Sequence, residues 1–194
     1  MENSATLVQE LQNGNEKAFE ALFELYKVKA VRTAYLLTGS RILADDIAQE
    51  AFVQCFLKIH TLKDPCQFKT WFFKCLTRIA WKMANKEKAA TPVENIFEMA
   101  DTNECGEIEK DFLKKEFSAD IMKIINTLDE KQKTTILLYY YNEFSISEIA
   151  AVMGCFEGTV KSRLHTARKN LKKELDQKEA YLKEGLNNAV IYKF

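Results

Sequence analysis

Two prolines and six glycines are few for a chain of 194 residues. So few breakers argue against many short strands joined by tight turns, and favour long helices. No apolar run approaches the ~18–20 residues that a bilayer-spanning helix needs. The opening stretch MENSATLVQELQNGNEKAFEALF is acidic and amphipathic, without a basic start or a small-residue cleavage site, and does not read as a signal peptide. Five cysteines (Cys55, Cys66, Cys75, Cys105 and Cys155) are odd in number and widely spaced, and none forms a C-x-x-C pair. Only His60 and His165 could add imidazole. This argues against a disulfide framework or a structural zinc site and points to reduced thiols in a cytoplasmic protein, with Cys75 and Cys155 as small apolar fillers. No nucleophile–base pair, metal-ligand cluster or phosphate-cradling glycine loop is evident, so neither an enzyme nor a cofactor is expected.

Net charge is also missing, 28 basic side chains balancing 28 acidic ones, but the signs are segregated. Residues 58–88 hold eight basic and two acidic side chains, 89–111 seven acidic and one basic, and 156–173 six basic and one acidic. Exposed charges act over about a Debye length, ~8–10 Å at physiological salt, so these blocks matter more than their sum. Two cationic segments flanking an anionic connector can hold a polyanion at both ends while the middle is repelled. Either basic block alone would read as a solvated face. The connector AATPVENIFEMADTNECGEIEKD, with a proline, a glycine and weak periodicity, reads as a flexible linker between two folded parts.

Before the connector the apolar spacing is helical. Phe19, Leu22, Phe23, Tyr26, Ala30, Val31, Ala34 and Leu37 recur three and four apart. A second helix, after TGSR, turns Ile47, Ala51, Phe52, Cys55, Phe56 and Ile59 inward and carries Asp45, Asp46 and Glu50 early. These acids suit the positive end of a helix dipole, or form a docking face for a basic partner. The turn TLKDPCQFK leads to a third helix, with Thr70 as its expected N-cap. Phe72, Leu76, Ile79 and Met83 mark its core side, and Lys74, Arg78 and Lys82 run beside it as a stripe that also contains Trp71 and Trp81. Cations for phosphates with aromatic planes for unstacked bases suit single-stranded nucleic acid, although the two tryptophans could equally pack under neighbouring helices.

After the connector, SISEIAAVMGCFEGTVKSRL has the spacing of a helix-turn-helix. Ser145 and Glu148 form an S-x-x-E capping box, Ala150 is small where two helices approach, and Gly154 sits where the turn needs positive φ. Val160 packs the second helix back on the first, with Ile146 and Ile149 completing the small core. In that second helix Val160, Leu164, Ala167 and Leu171 form the buried stripe. Ser162, His165, Thr166 and Lys169 lie opposite, Lys161, Arg163 and Arg168 flank them, and the amides of Gly158 and Thr159 offer a phosphate seat. Polar readers at the centre with cations at the edges suit a helix lying in the major groove of DNA. In the preceding segment Leu128, Ile136, Leu137, Tyr140 and Tyr141 are expected in the core. The tail LNNAVIYKF is apolar.

Taken in order, LADDIAQEAFVQCF, FKTWFFKCLTRIA and LYYYNEFSISEIAAVMGCFEGTVKSRLHTARKNL resemble an extracytoplasmic-function (ECF) sigma factor of the sigma-70 family, from about Phe19 to Leu175. The resemblance implies an all-α fold of two small helical domains, 1–88 and 112–194, joined by an acidic linker over 89–111. It implies a promoter-specificity subunit of RNA polymerase. Asp45, Asp46, Gln49 and Glu50 match the helix that docks on the clamp coiled coil of the largest polymerase subunit, and the flap of the second-largest subunit is a further implied contact. Lys63, Phe68, Lys69, Trp71, Lys74, Arg78 and Lys82 fall in the segments that capture and contact the −10 element. Lys161, Ser162 and His165 match −35 readers, with Gly158, Thr159, Arg163 and Arg168 near phosphate and Lys169 a further −35 contact. An anti-sigma factor is the implied regulator. The family often has Asn where this chain has Arg78, and usually Arg where it has Thr166. Two other readings fit parts of the pattern: a stand-alone helix-turn-helix regulator with an N-terminal sensor or dimerisation domain, and an N-terminal unit serving only protein interaction. The acidic helix followed by a basic–aromatic one favours the sigma factor over both.

Overall fold

A computed structural model of the chain describes residues 2–90 and 119–191, with side chains described over 4–87 and 123–176. Every regular element among these residues is helical: α1 (Glu2–Gln12), α2 (Glu16–Thr38), α3 (Arg41–Lys58), α4 (Phe68–Ala90), α5 (Ala119–Asn126), α6 (Glu130–Ile136), α7 (Ile146–Met153) and α8 (Glu157–Ile191). Compactness does not follow chain order. One unit gathers α1 to α4 with Leu137–Val160, and the other gathers residues 119–136 with those from Lys161 onward. The acidic linker expected over 89–111 lies, beyond Ala90, outside the described residues.

Polar residues set the helix ends. The Asn15 side chain accepts from the Lys17 N–H at 3.2 Å to start α2, and Gly39, at φ 76°, ends it by donating to the Tyr35 carbonyl at 2.7 Å. Ser40 caps α3 through the Leu43 N–H. Asp64 accepts from the Cys66 N–H at 3.0 Å, and Pro65 supplies a preset φ for the single 3₁₀ turn Pro65–Gln67 that runs straight into α4. This moves the start of α4 to Phe68. Thr70, expected as its N-cap, is instead buried inside the first turn.

The first unit is held by aromatic rings. Phe72 sits 4.8 Å from Phe52, 5.8 Å from Phe68, 5.9 Å from Tyr26 and 5.6 Å from Phe73, so α2, α3 and α4 share one cluster. Phe68, Phe72 and Phe73 are completely buried, each contributing about 1.5–3 kcal/mol of transfer free energy. Gln12 adds α1 by donating to the carbonyls of Ile59 and Leu62 at 2.9 and 2.8 Å. Two expectations change here. Phe23 and Phe56 continue the apolar spacing of α2 and α3, yet remain 38% and 43% exposed, because each lies at the edge of its buried stripe and lines a surface cleft.

Leu137–Tyr141 form a π-helical turn, closed by the Asn142 N–H on the Leu137 carbonyl at 3.0 Å. The wider turn shifts the register of inward positions. Leu137 and Leu138 are buried, whereas Tyr140, expected in the core, is 56% exposed, and Tyr141 is half-buried. The capping box at α7 forms in both directions: Ser145 Oγ accepts from the Glu148 N–H at 3.2 Å, and Glu148 Oε2 accepts from the Ser145 N–H at 2.8 Å. Gly154 ends α7 at φ 63°, donating to the Ala150 carbonyl. In the second unit the Lys133 ammonium donates to Asn126 Oδ1 at 2.7 Å, and Asn170 Nδ2 donates to Gln132 Oε1 at 3.3 Å.

Ser145→Ala removes one half of the capping box and is expected to lower stability by about 1 kcal/mol, read as a shift of the urea midpoint at unchanged slope. Ser145→Gly should cost only a few tenths of that.

Candidate nucleic-acid interface

Helix α8 begins with two backbone bonds to one acceptor, Thr159 N–H and Val160 N–H both donating to the Phe156 carbonyl at 2.9 and 3.2 Å. The phosphate seat expected from the Gly158 and Thr159 amides is thereby reduced, because the Thr159 N–H is already used inside the turn. Beyond it α8 is sharply two-sided. Val160, Leu164 and Ala167 are buried, Leu171 is half-buried, and Lys161, Ser162, His165, Thr166, Arg168 and Lys169 are exposed, with Arg163 half-buried. Helical periodicity makes this division: steps of four and three keep one stripe inside, and the polar positions fall outside it.

On α4 the stripe is present with graded exposure. Arg78 and Lys82 are exposed, while Lys74, Trp71 and Trp81 are half-buried. The turn before α4 exposes Lys63, Asp64, Cys66 and Gln67. Phe68, expected among the −10 contacts, has no exposed surface; its ring stacks on Phe72 and lies 6.2 Å from Trp71. It anchors the turn from below and has no surface to offer a base. Lys69 is half-buried with its ammonium 4.2 Å from the centre of the Phe144 ring. Burial pushes the Lys69 ammonium below its ordinary pKa, with Lys29 adding to that, while Glu148 and Glu143 pull the other way.

Helix α3 presents Asp45, Asp46 and Gln49 to solvent, with Glu50 half-buried. Asp45 Oδ2 lies 3.4 Å from Arg41 Nε, one turn earlier, and Glu50 accepts from Gln54 Nε2 at 2.8 Å. The exposed Arg41–Asp45 pair contributes little to stability. Beside these acids is an apolar cleft of about 680 Å³, lined by Phe19, Phe23, Phe52, Val53, Phe56 and Leu57 together with Lys27, Asp45 and Gln49. The cleft was not foreseen. Its signal was there in Phe23, Val53, Phe56 and Leu57, which give α2 and α3 more apolar residues than one buried stripe can take up.

Among the cysteines, Cys55 is buried, Cys66 exposed, and Cys75 and Cys155 half-buried. Burial, reinforced by Cys75, pushes the Cys55 thiol up to about 12. Burial also raises Cys75, with Lys58 and Arg78 opposing and Glu50 adding to the rise. Among the described residues no group of three or more His, Cys, Asp or Glu could hold a metal ion.

The sequence matches the family models described as "Sigma-70 region 2" over residues 22–89 and "Sigma-70, region 4" over 118–171. It is 28% identical over 176 residues to the ECF RNA polymerase sigma factor SigW of Bacillus subtilis, covering 87% of this chain and 94% of that one. It is 29% identical over 179 residues to the ECF RNA polymerase sigma-E factor of Haemophilus influenzae, covering 87% and 93%. Among solved structures, CnrH in complex with the cytosolic domain of CnrY aligns with a TM-score of 0.69 at 21% identity, over 90% of this chain and 98% of that one. The sigma factor RpoE of Bartonella quintana, in complex with the anti-sigma factor NepR, aligns at 0.65 and 22%, over 82% and 98%. The chain belongs to the sigma-70 family, as a sigma factor of the ECF type. It is a factor for promoter-specific transcription initiation. No helix among the described residues is long and apolar enough to cross a membrane.

With its pKa near 12, Cys55 stays a neutral thiol at pH 8. Timed alkylation of the native protein at that pH should modify Cys66 first and leave Cys55 unmodified until the chain is denatured, as read by peptide mass spectrometry; early labelling of Cys55 would contradict its burial.

Proposed function

We propose that this sigma factor reads its promoter with two cationic helices and meets the polymerase through α3. The −35 element is read by α8, with Lys161, Ser162 and His165 at base edges, Gly158, Thr159, Arg163 and Arg168 near phosphates, and Lys169 as a further contact. The −10 element is met by the turn and helix carrying Lys63, Lys69, Trp71, Lys74, Arg78 and Lys82. Residues 1–88 and 112–194 act as the two functional domains, and 89–111 as the acidic linker between them. Core RNA polymerase binds Asp45, Asp46, Gln49 and Glu50 through the clamp coiled coil of its largest subunit, and the flap of the second-largest subunit holds the C-terminal domain. The protein lends polymerase its readers and performs no covalent chemistry of its own. By analogy with the RpoE–NepR pair, an anti-sigma factor holds it inactive.

The observation that carries this reading is the two-sidedness of α8, placed directly after a capped helix and a glycine turn. Three buried apolar residues lock one side, and the exposed polar positions are those a major-groove helix needs. Contact with duplex phosphates also explains why cations concentrate here in a chain of zero net charge. The decisive experiment is in vitro transcription with core polymerase plus this protein on genomic fragments, with start sites mapped. Initiation at a shared pair of elements is expected; no initiation, with tight specific binding by the chain alone, would refute the assignment.

Lys161→Ala and His165→Ala should each relax preference at one −35 position, by about 1–3 kcal/mol where the base contact is direct, as measured by binding to a set of single-base promoter variants. Arg168→Ala should weaken binding evenly across those variants and reduce the slope of log affinity against log salt by ~1. Asp46→Lys with Glu50→Lys should abolish co-purification with core polymerase while leaving the circular dichroism spectrum intact; retained co-purification would remove α3 from the docking face.

A further inference from the structure

The turn between α3 and α4 has little regular structure of its own. Two short hydrogen-bonded rings, the Leu62 N–H on the Ile59 carbonyl at 3.1 Å and the Gln67 N–H on the Asp64 carbonyl at 2.9 Å, meet at Lys63. Lys63, Asp64, Cys66 and Gln67 are exposed, while Ile59, Leu62 and Phe68 are buried beneath them. A brace comes from the far end of the sequence. The side-chain amide of Gln12, the last residue of α1, commits both of its N–H groups to this turn, donating to the Ile59 carbonyl at 2.9 Å and to the Leu62 carbonyl at 2.8 Å. Gln12 is itself held. Gly14, at φ 90°, ends α1 with its N–H on the Leu11 carbonyl at 3.0 Å, and the Asn15 N–H closes on the Glu10 carbonyl at 3.0 Å. Val8 and Leu11 bury the inner side of the helix. All of α1 precedes residue 22, where the family-model match begins.

We propose that Gln12 is a positioning residue for −10 recognition, a strut from α1 that fixes the backbone carrying Lys63. This rests on the reading of that turn as a −10 contact. A reader on an irregular turn discriminates between bases when its backbone keeps its place to within about 0.5 Å. Burial of Leu62 and Phe68 holds the turn against the core, but hydrophobic burial has no preferred direction. The two hydrogen bonds of Gln12 are directional, and they set where the Leu62 carbonyl points. That carbonyl and the Lys63 N–H belong to one planar peptide unit, so fixing its plane fixes the course on which Lys63 leaves the turn. Ile59 follows directly on α3, so the same amide ties the turn to the helix that carries Asp45, Asp46 and Glu50. Without the strut the helices keep their packing and the Lys63 peptide is free to rotate.

The test uses the full chain, first alone and then with core polymerase. Gln12→Met keeps the reach and helix propensity of the side chain and removes both donors. In the free chain, amide exchange read by mass spectrometry should quicken about tenfold in the peptide spanning 59–67 and stay as in the parent along α3 and α4. With polymerase, initiation is measured on single-base variants of the −10 and −35 elements of a promoter the protein uses. Gln12→Met should reduce discrimination among the −10 variants by about fivefold or more and leave discrimination among the −35 variants unchanged. Gln12→Lys, which returns N–H donors at similar reach, should recover most of that loss. Asn15→Ala controls for general loosening, since it removes the side-chain cap of α2 and leaves the strut's own bonds in place. Unchanged exchange over 59–67, equal loss in the Met and Lys variants, or the same −10 loss in Asn15→Ala would each overturn the proposal. Lys63→Ala separates the strut from its premise. If Lys63→Ala lowers −10 selectivity and Gln12→Met does not, the strut is refuted and the −10 reading survives. If Lys63→Ala changes nothing, the −10 reading of this turn fails and takes the strut with it.

Discussion

The ring of Phe72 is the point on which the first unit depends. It touches rings from α2, α3 and α4's own first turns, and so fixes the rotation of α4 about its axis. With Phe68, Phe72, Phe73 and Leu76 inside, Arg78 and Lys82 have no course but outward. The cationic stripe is thus a by-product of aromatic packing as much as a feature in its own right. The tilted contacts of Phe72 with Tyr26 and Phe52 join three helices at one ring, and such aromatic pairs add about 0.5–1.5 kcal/mol beyond the area they bury. The cationic side chains of α4 are long and flexible, and the layer that aims them is closely packed.

Charge segregation takes on meaning against this rigid layer. A chain of no net charge has little long-range attraction for DNA, and its cations act only over the short distance that salt leaves unscreened. Such a protein gains its promoter contacts when a host enzyme brings the readers to the duplex, and has little reason to bind DNA indiscriminately in the meantime. On α3, exposed acids adjoin an apolar cleft. Asp45 and Gln49 belong to both, so charge and apolar area are available to one partner at one place.

Much of this was legible in the sequence, and the misses have physical causes. The capping box of Ser145 and Glu148, the left-handed Gly154 and the buried stripe of Val160, Leu164 and Ala167 were all readable, because each follows from local spacing. Tyr140 was misplaced because a π-helical turn inserts a residue's worth of rotation that a 3.6 period cannot anticipate. Thr70 lost its capping role because Asp64 and Pro65 began the helical course earlier. Phe68 was read as a base contact because sequence spacing does not distinguish a ring that faces a ligand from one that supports the residues that do. The Thr33–Asn142 bond joins positions 109 apart in the chain and had no local signal at all.

Glu143 carries a conflict that no neighbouring residue shares. Its left-handed backbone is one that glycine would occupy without strain, so exchanging it for glycine would relieve the turn. The same exchange would take away a negative charge that favours the protonated form of Lys69. At this one position an easier backbone would come at the expense of Lys69's electrostatic surroundings.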